Sequence, residues 1–190
     1  MISGEAAMGT LRLVMTRPVS RTVILCSKFL AGAVYTMLLL IWLGVFSLFL
    51  GLLLFGSGDL IVLKTDQLII LPEADVLWRF FSAFGMAFLA LLLIASLSLM
   101  LSCFSDNSIG PIITTMALII FFTIIGTLEV PLFEKIKPFL FTTHMSVWRC
   151  FFEDPLPVKQ IIYSVLFLVG HIVTFLSVSI FYFNRKDILS

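Results

Sequence analysis

The sequence predicts an all-α integral membrane protein: a four-span helical bundle, preceded by a cytoplasmic amphipathic helix and carrying a partly re-entrant outer segment. Two observations lead there. Charge is excluded from four long runs, since no Asp, Glu, Lys or Arg lies between Lys28 and Asp59, Arg79 and Asp106, Asp106 and Glu129, or Lys159 and Arg185. Those gaps of 30, 26, 22 and 25 residues each exceed the roughly 20 helical residues that cross a hydrocarbon core about 30 Å thick. The composition agrees, at 61% hydrophobic, 12% charged and a mean hydropathy of +1.17, whereas soluble domains are about half apolar and a quarter charged. Soluble core helices average about 11–12 residues and show a polar face. Transmembrane strands read as alternating segments of about 10 residues. Unbroken apolar runs fit neither. A single transmembrane domain, 1–190, accounts for the chain, with spans at about 29–55, 80–103, 109–128 and 161–183.

Taken in order, residues 5–16 read as a short amphipathic helix. At about 100° per residue, Glu5, Gly9, Arg12 and Thr16 share a narrow polar stripe opposite Met8, Leu11 and Met15. Pro18 breaks it, lacking an N–H and disfavouring helical geometry at Arg17. Ser20 is placed to cap the next helix, which climbs through Arg21 and Lys28 into the first span. That span ends near Phe55, at the turn Gly56-Ser57-Gly58-Asp59. Residues 60–78 read as an acidic loop in which Pro72 divides an apolar stretch, Leu60–Leu71, from the second span. The turn around Ser105-Asp106-Asn107-Ser108 is so short that the second and third spans must be antiparallel neighbours. Pro111 falls in the first turn of the third span, where its missing donor does least harm.

Residues 129–160 form a longer connection with Pro131, Pro138, Pro155 and Pro157. Its middle, Phe139–Phe152, is too apolar for a solvated loop and too short to span, which predicts a helix at the interface or dipping into it. The fourth span ends at Phe183, before Arg185-Lys186-Asp187.

Four spans put both termini on one side. Six basic residues lie on each side, so the count that orients membrane proteins ties. The termini are the shorter segments and have the higher basic density, which favours cytoplasmic termini. A net charge of +1 gives no pull towards nucleic acid. Cys26, Cys103 and Cys150 lack metal-type spacing and are expected to be unpaired. The N-terminus lacks the pattern of a secretory signal, since a mixed segment of 28 residues precedes an overlong apolar run.

Little in the chain has the pattern of chemistry. Gly4 to Leu11 has the glycine spacing of a phosphate-binding loop, but Thr10 stands where Lys is needed and Leu11 where a magnesium-holding Ser or Thr is needed. His171, near the centre of the fourth span, is the protonatable group at mid-membrane and hence a possible polar site. Its structural reading is a neutral imidazole bonded to Ser or Thr of a neighbouring helix. His144 has no Cys or second His at ligand spacing, so no metal is expected. Small residues four apart, Ser27/Ala31, Ala83/Ala87 and Ser98/Ser102, suit close helix packing in lipid.

At the N-terminus, Glu5-x-x-x-Gly9-Thr10-Leu11, then Arg17-Pro18-Val19-Ser20-Arg21, then Lys28-Phe29-Leu30, resembles the permeases of type 2 ABC exporters. There the corresponding segment is a cytoplasmic coupling helix resting on the ATP-binding subunit. The layout of the spans and the tail Asn184-Arg185-Lys186-Asp187-Ile188 are similar too. The resemblance implies an inner (plasma) membrane permease with cytoplasmic termini, in which Glu5, Gly9, Thr10, Leu11, Arg17 and Pro18 couple to the ATPase. It further implies an ATP-binding ABC subunit and a second permease subunit as partners. ATP and magnesium would sit in the ATP-binding partner, and this chain itself would hold no cofactor and be no enzyme. Members usually have six spans, so the chain is expected either to lack two N-terminal spans or to receive them from another chain. Against the permease stand two alternatives. A non-catalytic four-span scaffold or accessory subunit would have no ATPase partner. A membrane-embedded enzyme would need convergent groups that His144, His171, Glu129, Glu134, Glu153 and Asp154 do not supply.

Overall fold

The structure, a computed structural model, describes residues 2–7, 20–63, 68–105, 107–128 and 130–185. In chain order the elements are α1 (Ile2–Ala7), α2 (Arg21–Phe55), a hairpin of β1 (Leu60–Leu63) and β2 (Leu68–Leu71), α3 (Glu73–Phe104) and α4 (Ile109–Thr127). A connector follows, made of α5 (Pro131–Glu134), a 3-10 turn at Lys137–Phe139, α6 (Phe141–Met145) and a 3-10 helix at Ser146–Phe152, and leads into α7 (Val158–Arg185). Helices α2, α3, α4 and α7 have 35, 32, 19 and 28 residues and are long and apolar enough to cross a membrane. At 1.5 Å per residue even α4 reaches about 28 Å. The chain is a multi-pass membrane protein, as its charge-free runs require.

Helix boundaries follow local chemistry. The Ser20 side chain accepts from the Val23 N–H at 3.4 Å and caps α2. Gly56 ends α2 with φ 75°, a conformation only glycine adopts at no cost, and its N–H returns to the Leu52 carbonyl. Between α3 and α4 the Ser105 hydroxyl bridges the N–H and carbonyl of Asn107, whose side chain accepts from the Ile109 N–H. Pro111 falls in the first turn of α4. The two helices are packed neighbours, as so short a turn demands.

Helix α3 is the axis. It packs against α7, α2, α4 and the connector, and it has eleven buried residues where α2 has two. The main core joins Met86, Leu93 and Leu97 of α3 to Leu168 and Ile172 of α7, with Phe141 and Val147 of the connector closing one end. Large apolar side chains along α2, α4 and α7 face outward instead, among them Trp42, Phe49, Ile113, Phe121 and Leu166. A lipid environment accommodates such a surface and water does not.

Two expectations are corrected. Residues 60–63 and 68–71 pair as antiparallel strands, with Leu60 opposite Leu71 and Leu63 opposite Leu68, because two four-residue runs of Leu, Ile and Val satisfy each other's backbone groups where an open loop would not. Helix α3 begins at Glu73, ahead of the expected span, and includes Arg79. Ser27 and Ala31 are exposed, whereas Ala83, Ser98 and Ser102 are buried as small packing residues should be.

The connector is held by Arg79. Only 5% exposed, it donates from one guanidinium nitrogen to the Phe151 carbonyl at 3.1 Å and to the Glu153 carbonyl at 2.8 Å. The other terminal nitrogen lies 3.9 Å from Asp75. Phe80 packs edge-on against Phe152 beside it, with ring centroids 5.0 Å apart. Replacing Arg79 by Leu strands two carbonyls, at about 1–3 kcal/mol each. Arg79→Leu should therefore lower the unfolding midpoint of the detergent-solubilised protein and speed hydrogen exchange over 146–153. Arg79→Lys, which has no planar fork, should do so by less. A wild-type midpoint for Arg79→Leu would show that the clamp contributes nothing.

Candidate functional site

The polar contacts gather at the two ends of the bundle. At one end lie α1, the start of α2, the α3–α4 turn and the end of α7. Ile2 is buried in a cluster with Leu25 of α2, Leu99 and Cys103 of α3, and Phe183 of α7. The Ser3 N–H donates to the Ser102 hydroxyl at 2.9 Å, and that hydroxyl donates to the Ser3 oxygen at 2.9 Å. A Cβ on Gly4 would meet the Cβ of Ser108 at 3.7 Å, so the backbone of α1 runs close to the entrance of α4. Arg21 donates to the carbonyls of Phe183 and Asn184, at 3.2 and 3.4 Å. These are among the carbonyls left open at the end of a helix, where a cation also complements the dipole. A six-residue helix is thereby bonded to α3 and shares a buried cluster with residues of α2 and α7.

At the other end the connector is fastened to α7 by His144. Its Nε2 lies 2.9 Å from the Pro138 carbonyl, which can only accept, so Nε2 carries the proton. Its Nδ1 lies 2.9 Å from the fully buried Ser164 hydroxyl. Phe167 stacks on the ring with centroids 4.2 Å apart. The spacing of Tyr163, Phe167, His171 and Phe175 puts four rings on one stripe of α7, with neighbouring centroids 6.1, 4.4 and 5.9 Å apart.

His171 is not bonded to a neighbouring helix as its structural reading had it: its Nδ1 donates to the Phe167 carbonyl of its own helix at 3.0 Å. The histidine that reaches a serine on another helix is His144. Among the described residues no three His, Cys, Asp or Glu side chains could share a metal ion. Cys103 and Cys150 are buried, Cys26 is exposed, and none of the three forms a disulfide.

Of the residues expected to couple to an ATPase, Glu5 belongs to α1. Its side chain, and Gly9, Thr10, Leu11, Arg17 and Pro18, lie outside the described residues. So does most of the amphipathic segment 5–16, together with Asp106 and Glu129. The sequence reading missed Ser3, Ser102, Arg21, Arg79 and His144 as fasteners. A signal existed for Arg79 alone, as a basic residue bordering an apolar run of 26.

Replacing His144 by Leu leaves the Ser164 hydroxyl and the Pro138 carbonyl unpaired, and polar contacts between membrane helices are each worth about 0.6 kcal/mol, up to about 1.7. His144→Leu should lower stability by about 1–3 kcal/mol and raise hydrogen exchange over 139–152, and Ser164→Ala should do so by about half. Unchanged exchange in His144→Leu would remove the clasp.

Comparison with known proteins corrects the family expected from the N-terminal motif. The chain is 26% identical over 195 residues to the uncharacterized protein YhcI of Bacillus subtilis (strain 168), an alignment covering 98% of this chain and 61% of that protein. The chain thus spans less than two thirds of the length of the curated relative it matches. No solved structure matches it. The family model that does match, over residues 1–189, is not an ABC transporter family, so membership of the type 2 ABC permeases is not upheld. The motif rested on a few small and common residues, and an alternation of spans with short turns is shared by many membrane proteins. The chain belongs to the family described as protein of unknown function (DUF2705).

Proposed function

We propose that this chain is the membrane subunit of a transporter, moving its substrate with ATP hydrolysed by a separate ATP-binding chain and working beside a second membrane subunit. The observation that supports this best is the docking of α1. A segment that receives force must be rigidly joined to the helices it moves, and Ile2 and Ser3 are buried against α2, α3 and α7 through Leu25, Ser102 and Phe183. Residues Glu5, Gly9, Thr10, Leu11, Arg17 and Pro18 continue directly from that anchor and form the proposed contact with the ATPase. The termini then face the cytoplasm, ATP and magnesium belong to the partner, and this chain performs no catalysis. The connector, apolar and wedged between α3, α4 and α7, is proposed to enter the opposite face of the membrane as a re-entrant segment.

A non-catalytic scaffold is the second reading. One observation favours it: Ser96, Thr115, Thr123 and Thr174 donate to carbonyls of their own helices and offer no polar path between spans.

Purification of the tagged chain from its native membranes distinguishes the two. The transport reading expects an ATP-binding chain with a phosphate-binding loop to accompany it in comparable amount. Gly9→Trp should lose that chain and its coupled ATP turnover while the spans still insert, and Ser102→Leu should weaken turnover by loosening α1. Should no ATP-binding chain accompany the protein, or should Gly9→Trp leave association and turnover at wild-type levels, the scaffold reading holds.

A further inference from the structure

We propose that the β1–β2 hairpin is a membrane-surface element, with one apolar face resting in the headgroup–acyl boundary of the bilayer. Side chains alternate across the two strands. Ile69 and Leu71 are buried, and Leu60 and Val62 are partly covered. Ile61, Leu63, Leu68 and Ile70 point the other way, all more than half exposed and Leu63 80% exposed.

The register places those four opposite one another, Ile61 beside Ile70 and Leu63 beside Leu68, so they form one continuous patch. An isolated two-stranded hairpin is marginal in water at best, and four exposed aliphatic side chains on one face would make it worse. Something apolar covers them.

Two arguments identify the cover as lipid. The first is continuity. The hairpin rises directly from the end of α2, where Leu54 and Phe55 are exposed, and descends into α3, where Leu77, Trp78 and Phe81 are exposed. Trp78 donates its indole N–H to Asp75 at 3.1 Å, the arrangement of a tryptophan with its ring in the apolar layer and its polar edge in the headgroups. The base of the hairpin is tied to the same turn, because the Asp59 carboxylate accepts from the Glu73 N–H at 3.1 Å. The second argument is size. A stable protein–protein interface takes roughly 20–30 residues a side, and a four-residue patch falls far short of docking a second copy of this chain. A lipid boundary needs no matching surface.

The test uses the full chain reconstituted in phosphatidylcholine–phosphatidylglycerol vesicles, with Cys26→Ser to remove the exposed native thiol. An environment-sensitive fluorophore is attached in turn at Ile61→Cys, Leu63→Cys, Leu68→Cys and Ile70→Cys, with Ser57→Cys as a control in the exposed turn before β1. The expected result is blue-shifted emission, quenched by lipids brominated on the acyl chain at least three-fold more than at position 57 and protected from aqueous iodide to the same degree. Adding Ile61→Lys to the Ile70→Cys protein should reverse both effects by lifting the patch. Iodide quenching at all four sites equal to that at position 57 would overturn the proposal by placing the face in water. Protection from both quenchers would overturn it too, because the cover would then be protein. Four separate labelling sites keep the result independent of any one variant that fails to fold.

Discussion

A buried carbonyl needs a partner, and the connector between α4 and α7, where short helical pieces replace one continuous helix, has to find partners outside itself. Its short helices and 3-10 turns leave backbone oxygens that a continuous helix would satisfy internally. Arg79 resolves this for the carbonyls of Phe151 and Glu153, both of which accept from one terminal nitrogen of its guanidinium. The rest of the core depends on it. With the end of the 3-10 helix held, Val147 and Cys150 stay in the cluster that joins Met86 of α3 to Ile161 and Leu168 of α7. His144 completes the attachment from the connector's middle, and its ring serves both as a bonding group and as a plate against Phe167.

The opposite end solves the same problem with a shorter piece of chain. The last carbonyls of α7 are taken by Arg21, and the N–H of Ser3 near the start of α1 is taken by Ser102. Thr22 accepts from the Asn184 side chain alongside, at 3.4 Å. Each end is therefore locked by an arginine on one helix that donates to the carbonyls of another element. Between the ends, contact is almost wholly apolar. Side-chain hydroxyls there turn back to their own helices, as Ser96 does to Leu93 and Thr115 to Pro111.

The spans were legible because insertion into lipid is governed by something a sequence displays directly, the length of a run without charge. The Ser20 cap and the Gly56 exit were legible for the same kind of local reason. What escaped is what local pattern does not encode. Arg79 looked like a residue bordering a span, and only the early start of α3 at Glu73 reveals that it is buried. The pairing of residues 60–63 with 68–71 depends on two runs meeting each other, and each alone reads as an apolar loop. His171 is the histidine that the span pattern places at mid-membrane, yet its bond closes on Phe167 one turn away. His144, set aside because no metal partner lay nearby in sequence, makes the contact between elements. The family resemblance failed for the converse reason: it weighed a short local motif that the match over 1–189 does not support.

The asymmetry between α3 and α2 follows from side-chain size. Lipid tails are as apolar as leucine, so helices associate in a bilayer through close packing and bonding, not through exclusion from water. Helix α3 presents Ala83, Ala90, Ser96 and Ser102 at buried positions, which lets its neighbours approach. Beyond its first turns α2 presents Leu, Phe and Trp, and its buried residues are Ile24 and Leu25. Gly44 is the exception, where an added Cβ would stand 3.6 Å from the Phe84 ring. Next to that contact the helices part around an apolar cavity of about 350 Å³ lined by Met37, Ile41, Leu48, Phe81, Gly85 and Phe88. Helix α2 packs on α3 and α7 along a half-buried stripe that includes Gly32, Thr36, Leu40, Gly44 and Leu48, but its fully buried residues lie only near its start. A span enclosed on several sides cannot tilt without disturbing the core. The burial that fixes α2 is instead concentrated at Ile24 and Leu25, where Leu25 shares a cluster with Ile2 of α1, Leu99 and Cys103 of α3 and Phe183 of α7.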